Sequence, residues 1–161
     1  MDKIDNILND KEYQSRMKTI ITSEYMRKFC RHGLGHALSV ARIAYIIALE
    51  EHIELDKEII YGAALLHDIG RYTDLEKEEK MSHHKAGAIT AEPILLRCGY
   101  DEEDTRLICA AISKHKEKTK EVNTLADILF RADKLSRNCF MCDAKDECYW
   151  DESLKNKSIF R

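Results

Sequence analysis

One proline and six glycines among 161 residues leave this chain with few obligatory breaks. Nowhere does it show the alternation of apolar and polar residues that marks a β-strand, which excludes a sheet protein and points to helices throughout. It also lacks any apolar run near the ~20 residues that a bilayer-spanning helix needs. The start, MDKIDNILNDKEYQ, has no apolar leader core. The expectation is a cytoplasmic protein with no membrane partner. A basic stripe is missing as well: the formal net charge is −3, with 26 Lys and Arg interspersed among 29 Asp and Glu. Electrostatics therefore give no reason to expect nucleic acid as a partner. In a reducing compartment the six cysteines are expected as thiols or metal ligands, not disulfides.

What the chain does contain suits one helical domain. An apolar fraction of 44% beside a charged fraction of 34% fits helices with one wet face, and the length allows a single core. The expected fold class is all-α, a bundle of six or seven helices. A first helix is predicted from Lys11 to about Cys30, broken by the Gly33 and Gly35 pair. Others run from His36 to about His52 and from Asp56 to about Ile69, where Gly70 is the expected C-terminal cap. The charged run from Asp74 to Lys80 reads as a solvated loop. A helix from Ser82 to about Cys98 contains Pro93, which should kink it, and stops at Gly99. The last two are predicted over Asp101 to Lys116 and about Glu121 to Arg137. This divides the chain into an N-terminal helix (1–30), a central domain (31–137) and a cysteine-bearing tail (138–161).

The informative pattern is polar residues set on apolar helical stripes. His36 leads Val40, Ile43 and Ile47; His67 follows Ile60 and Ala64; Asp133 follows Leu125 and Leu129; His115 follows Ile108, Ala111 and Ile112. In the fourth helix His83 leads Gly87, Thr90 and Ile94, whereas His84 leads the more apolar Ala88, Ala91 and Leu95, so periodicity leans toward His84. Any one of these is most simply a hydrogen-bonded core residue. Five helices sending imidazoles and carboxylates inward are better explained by a shared divalent cation that offsets their desolvation.

At these positions the sequence resembles the HD-domain metal-dependent phosphohydrolase superfamily, whose pattern is a His, an adjacent His-Asp pair and a distant Asp. The matching stretches are His36-Ala-Leu-Ser-Val-Ala-Arg-Ile-Ala, Ala63-Ala-Leu-Leu-His67-Asp68-Ile-Gly-Arg71 and Ala132-Asp133-Lys-Leu. The resemblance implies a helical phosphohydrolase in which His36, His67, Asp68 and Asp133 ligate one metal and Asp68 bridges to a second. His83 and His115 fall where two-metal members carry two further histidines, and this family spacing favours His83 over His84. The set is similar to that of bacterial HD-type hydrolases that split dinucleoside tetraphosphates symmetrically and hold two irons. By the same resemblance the cofactor is one or two divalent ions (Fe, Mn, Zn, Co, Ni or Mg), and the substrate is a small phosphate compound, a nucleotide in the first instance. Two ions roughly 3.5–4 Å apart would activate water, with no protein nucleophile needed. Asp68 would orient or deprotonate that water, Arg71 and Lys134 would contact phosphate, and His84 would line the substrate site. Competing expectations are a nucleotide-sensing module without turnover and a helical domain with a structural metal; a homodimer is left open.

Arg71, Pro93 and the tail depart from the family pattern. In the tail Cys139, Cys142 and Cys148 form a C-x2-C-x5-C array, a spacing known from zinc and iron–sulfur sites, for which Cys30 or Asp143 is a candidate fourth ligand. The competing expectation for these three is free or packing thiols. Cys98 and Cys109 lie on apolar faces and are expected in the core.

Overall fold

The protein was analysed as a computed structural model, which describes residues 2–117 and 121–159. Among these residues the regular structure is entirely helical: α1 (Asp2–Asn9), α2 (Lys11–Ser23), α3 (Leu34–Glu50), α4 (Lys57–Leu66), α5 (Asp74–Lys77), α6 (His83–Arg97), α7 (Glu102–Lys114) and α8 (Leu125–Leu135). Two 3₁₀ turns, Cys139–Met141 and Lys145–Glu147, follow. The all-α class is as expected, and the two short helices α1 and α5 bring the number to eight. No helix among the described residues is long and apolar enough to cross a membrane.

Where boundaries differ from the predicted ones, side-chain caps decide them. The N-terminal segment is two helices because the Asp10 carboxylate accepts hydrogen bonds from the Glu12 and Tyr13 N–H groups and so starts α2 afresh. α2 ends at Ser23, not near Cys30, because Glu24 leaves the helix to bind His32. Within the predicted 74–80 loop, the Thr73 hydroxyl accepts from the Glu76 N–H and starts α5. α8 begins at Leu125, not near Glu121. There the Thr124 hydroxyl accepts from the Asp127 N–H, and the Asp127 carboxylate accepts from the Asn123 N–H. α6 runs through Pro93 as one assigned helix, and Gly99, at φ +92°, follows its end as expected.

α4 is the hub. It touches α1, α3, α6, α7 and α8, and Ile60, Gly62, Ala63, Ala64, Leu65 and Leu66 are all buried. A helix apolar on nearly every side belongs in the middle of a bundle, so whatever follows its C-terminus is delivered into the interior. His67 and Asp68 follow it. Around that point lie the first turn of α3, carrying His36, the first residue of α6, His83, the C-cap of α7, His115, and the last turn of α8, with Asp133.

Two contacts hold this convergence. A Cβ at Gly70 would lie 2.2 Å from both the Gly87 nitrogen and the His83 carbonyl oxygen, so the loop after α4 rests directly on the backbone of α6. Gly70 therefore does not act as the left-handed cap expected of it; that conformation falls to Tyr72, at φ +58°. At the other side, the buried Asn156 amide donates to the carbonyls of Lys134, Leu135 and Arg137 at 2.8, 3.3 and 2.7 Å. It satisfies the end of α8 that no further helical turn can satisfy. Gly70→Ala is expected to cost about 3 kcal/mol or more through overpacking, and Asn156→Ala about 1–3 kcal/mol through unpaired carbonyls. Urea denaturation midpoints measure both; a Gly70→Ala protein as stable as the parent would refute the backbone contact.

Candidate metal centre

Five of the polar residues singled out on helical stripes, His36, His67, His83, His115 and Asp133, meet Asp68 in one place. His36 Nε2 lies 3.3 Å from Asp133 Oδ1 and 3.7 Å from Asp68 Oδ2, and His67 Nε2 is 3.1 Å from Asp68 Oδ2. On the other side of the same carboxylate, His83 Nε2 and His115 Nε2 are 3.5 and 3.8 Å from Asp68 Oδ1. Asp68 thus presents one oxygen to His36 and His67, and its second oxygen to His83 and His115. Donor atoms within 4.8 Å of one another form two groups, His36–His67–Asp133 and His67–Asp68–His115.

Tautomers follow from the partners. A carbonyl oxygen only accepts, so His67 Nδ1, 2.7 Å from the Ala64 carbonyl, and His115 Nδ1, 2.7 Å from that of Ile112, each carry a proton. Ser136 gives its hydroxyl proton to the Asp133 carbonyl at 2.7 Å and is left to accept from His36 Nδ1 at 3.2 Å. In the neutral rings the Nε2 lone pair is therefore turned to the centre, the arrangement of metal-binding imidazoles backed by an outer hydrogen bond. Nε2 of His36, His67, His83 and His115 is buried without a hydrogen-bond partner in every case. Each such atom costs about 1–3 kcal/mol, a cost that divalent cations on either side of Asp68 would offset. The donor set fits a metal.

Charge is distributed accordingly. Burial presses the His36 imidazole down to about 4, and those of His83 and His115 to about 3, so all three are neutral donors at physiological pH. Burial alone would also lower His67, but the adjacent Asp68 charge outweighs it and moves the ring up. Burial would raise Asp68 and Asp133. Against it, the neighbouring His67 and the Arg71 charge hold Asp68 well below the usual carboxylate range, and the neighbouring His36 and the Arg137 charge do the same for Asp133. Arg71 Nε contacts Asp68 Oδ1 at 2.8 Å, Arg137 Nη2 contacts Asp133 Oδ1 at 2.6 Å, and Lys134 Nζ contacts Asp133 Oδ2 at 2.6 Å.

Between the two neighbouring histidines, His83 is the one facing Asp68. His84 sits at the margin, its Nε2 3.2 Å from the Ser82 hydroxyl and its ring 5.9 Å from that of His115. Lys134 is occupied by Asp133 and stacks over Phe130 and Trp150. Cys98 is in the core, and Cys109 packs against it. Cys139, Cys142 and Cys148 belong to neither donor group of this centre. Sequence reasoning missed Ser136 and Arg137, one turn beyond Asp133, whose spacing of three and four residues on α8 was the available signal. It also missed the buried pair Glu24–His32, joined at 2.8 Å, whose ring stacks edge-on against His36 at 5.5 Å. Both lie on irregular backbone, where periodicity carries no signal.

Comparison with known proteins agrees with this arrangement. The HD domain family matches residues 33–138. The chain belongs to the HD domain family. It is 42% identical over 160 residues, 99% of both chains, to an "Uncharacterized protein" of Clostridium beijerinckii. It is 33% identical over 128 residues to "Putative phosphohydrolase YueE" of Bacillus subtilis, covering 71% of this chain and 70% of that one. A third relative, ribonuclease Y of Mycoplasma capricolum, is 32% identical over 120 residues, 74% of this chain but 21% of that much longer protein. No solved structure matches.

In the metal-free state the depressed histidines give this HD domain a pH signature. In the unfolded chain they bind protons below their ordinary value of 6.5, whereas the folded state resists until about 3–4. Their contribution is thus fully present above pH 6.5 and is lost as the pH falls through that window. His67, shifted upward, opposes them alone. Metal-stripped protein should lose urea resistance steadily from about pH 6.5 to 4; a flat profile over that interval would contradict the burial of these rings.

Proposed function

We propose that this HD domain is a two-metal phosphohydrolase that cleaves a phosphate ester or anhydride of a nucleotide, with water as the nucleophile. The carrying observation is the division of Asp68, whose oxygens face two separate imidazole sets. His36, His67, Asp133 and Asp68 Oδ2 would hold one ion; His83, His115 and Asp68 Oδ1 would hold the other. His67 serves the first ion alone, since its single free lone pair cannot be shared. When bound, divalent ions supply Lewis acidity toward a phosphoryl oxygen and toward water.

The protein groups do the positioning. Asp68 is ionised throughout the working range, and a carboxylate held so acidic orients water better than it deprotonates it. Arg71 uses Nε on Asp68, which leaves its terminal nitrogens directed to a substrate phosphate in the forked geometry that guanidinium provides. Lys134 and Arg137 balance the Asp133 charge and fix its oxygens. The relative named as a phosphohydrolase supports this reaction class, and the one named ribonuclease Y places RNA among the substrates to be tried.

The test is turnover by purified protein loaded with Mn²⁺, Fe²⁺ or Co²⁺ on mononucleotides, dinucleoside polyphosphates and short RNA. One class should release product. Asp68→Asn should lower kcat/KM by roughly 10³-fold or more, and Arg71→Ala by roughly 10–100-fold, with partial recovery in Arg71→Lys. Inertness across the panel by protein carrying two ions per chain would sink the hydrolase assignment and leave a binding module.

A further inference from the structure

A cavity that borders the His/Asp centre at His36 is lined by four of the six cysteines. It has a volume of about 420 Å³ and lies between the loop that precedes α3, the end of α8 and the tail. Cys139, Cys142 and Cys148 line one wall. Successive i to i+3 hydrogen bonds close this stretch into three short turns. The Cys142 N–H bonds the Cys139 carbonyl, the Lys145 N–H bonds the Cys142 carbonyl, and the Cys148 N–H bonds the Lys145 carbonyl, at 3.4, 3.1 and 3.4 Å. Cys142 is extended between the two 3₁₀ turns, and positions 139, 142, 145 and 148 all border the cavity. Cys30 comes from the facing wall, its loop held by the Arg27 guanidinium on the Cys30 carbonyl at 2.9 Å. The thiols are free and half-buried.

We propose that Cys30, Cys139, Cys142 and Cys148 bind an iron–sulfur cluster of the four-thiolate type. Spacing argues for a cluster over a single ion. Tetrahedral zinc at a Zn–S distance of ~2.3 Å draws its sulfurs to roughly 3.8 Å of one another. No three of these cysteine sulfurs come within 4.8 Å of each other, although all four border the same cavity. A cluster interposes its own body between the thiolates and takes donors farther apart. Charge agrees: four thiolates around such a cluster leave net negative charge, and the cavity is walled by Lys28, Arg31, Arg137, Lys145 and Lys155 with no carboxylate among its lining residues. Lys155 and Arg137 are themselves buried and anchored, on Glu152 and on Asp133. Arg137 therefore joins the two sites, gripping Asp133 while facing Cys30.

The cavity adjoins the proposed hydrolase centre through His36 and Arg137, and acid-labile sulfide distinguishes the two sites, since the His/Asp centre binds none. Full-length protein purified without oxygen and reconstituted with ferrous iron and sulfide should turn brown and hold about four labile sulfides per chain. Cys142→Ser and Cys30→Ser should each lose most of that sulfide, whereas His115→Ala and Cys109→Ser should keep it. Should the serine variants fail to fold by circular dichroism, mass-mapped alkylation of the parent decides: the four cysteines should be protected in reconstituted protein and labelled in untreated protein. Absence of labile sulfide, equal labelling in both states, or a colourless protein holding one zinc ion on the same cysteines would overturn the cluster.

Discussion

Everything in this fold is arranged around two carboxylates that are kept charged away from water. Asp68 and Asp133 are 5% and 1% exposed, a placement that costs several kcal/mol for each ion unless partners surround it. Arg71, Lys134 and Arg137 supply part of that compensation. The remainder cannot come from the surrounding imidazoles, whose inner nitrogens turn lone pairs to the carboxylates and bond to nothing in the protein. A bundle that needed only stability would have filled this volume with leucine. One that keeps four unanswered lone pairs against two anions is built for a cation.

The way those lone pairs are aimed shows how little the arrangement relies on the donors themselves. His67 and His115 each return Nδ1 to a carbonyl three residues back, in the last turn of their own helices. Helix ends have such carbonyls to spare, so placing a histidine at a C-terminus orients its ring with no added side chain. His36 enters at the beginning of its helix, where no such carbonyl exists, and borrows Ser136 from α8. The difference between helix start and helix end thus decides which ring needs outside help.

Much of this was legible from spacing. His36, His67, His115 and Asp133 each sat on an apolar stripe, and each stripe proved to be a buried helical face. His83 was the ambiguous case, because its stripe runs through Gly87, which counts for little as an apolar residue. Gly87 is buried nonetheless, since its missing side chain lets the α4 loop reach the α6 backbone. Hydrophobic periodicity measures side chains and cannot register a contact made by their absence. The same blindness made Gly70 a helix cap when its role was space. Irregular segments were illegible for a different reason: Glu24, His32 and Asn156 act across long sequence separations from backbone that has no period.

The glycine-to-glycine joint has a mechanical corollary. With Gly70 seated on Gly87 and on the His83 carbonyl, the strap carrying Asp68 and the helix carrying His83 form a rigid weld that cannot hinge without breaking main-chain packing. The separation between Asp68 and His83, 3.5 Å between their facing atoms, is thereby set by main-chain packing and not by side-chain choice.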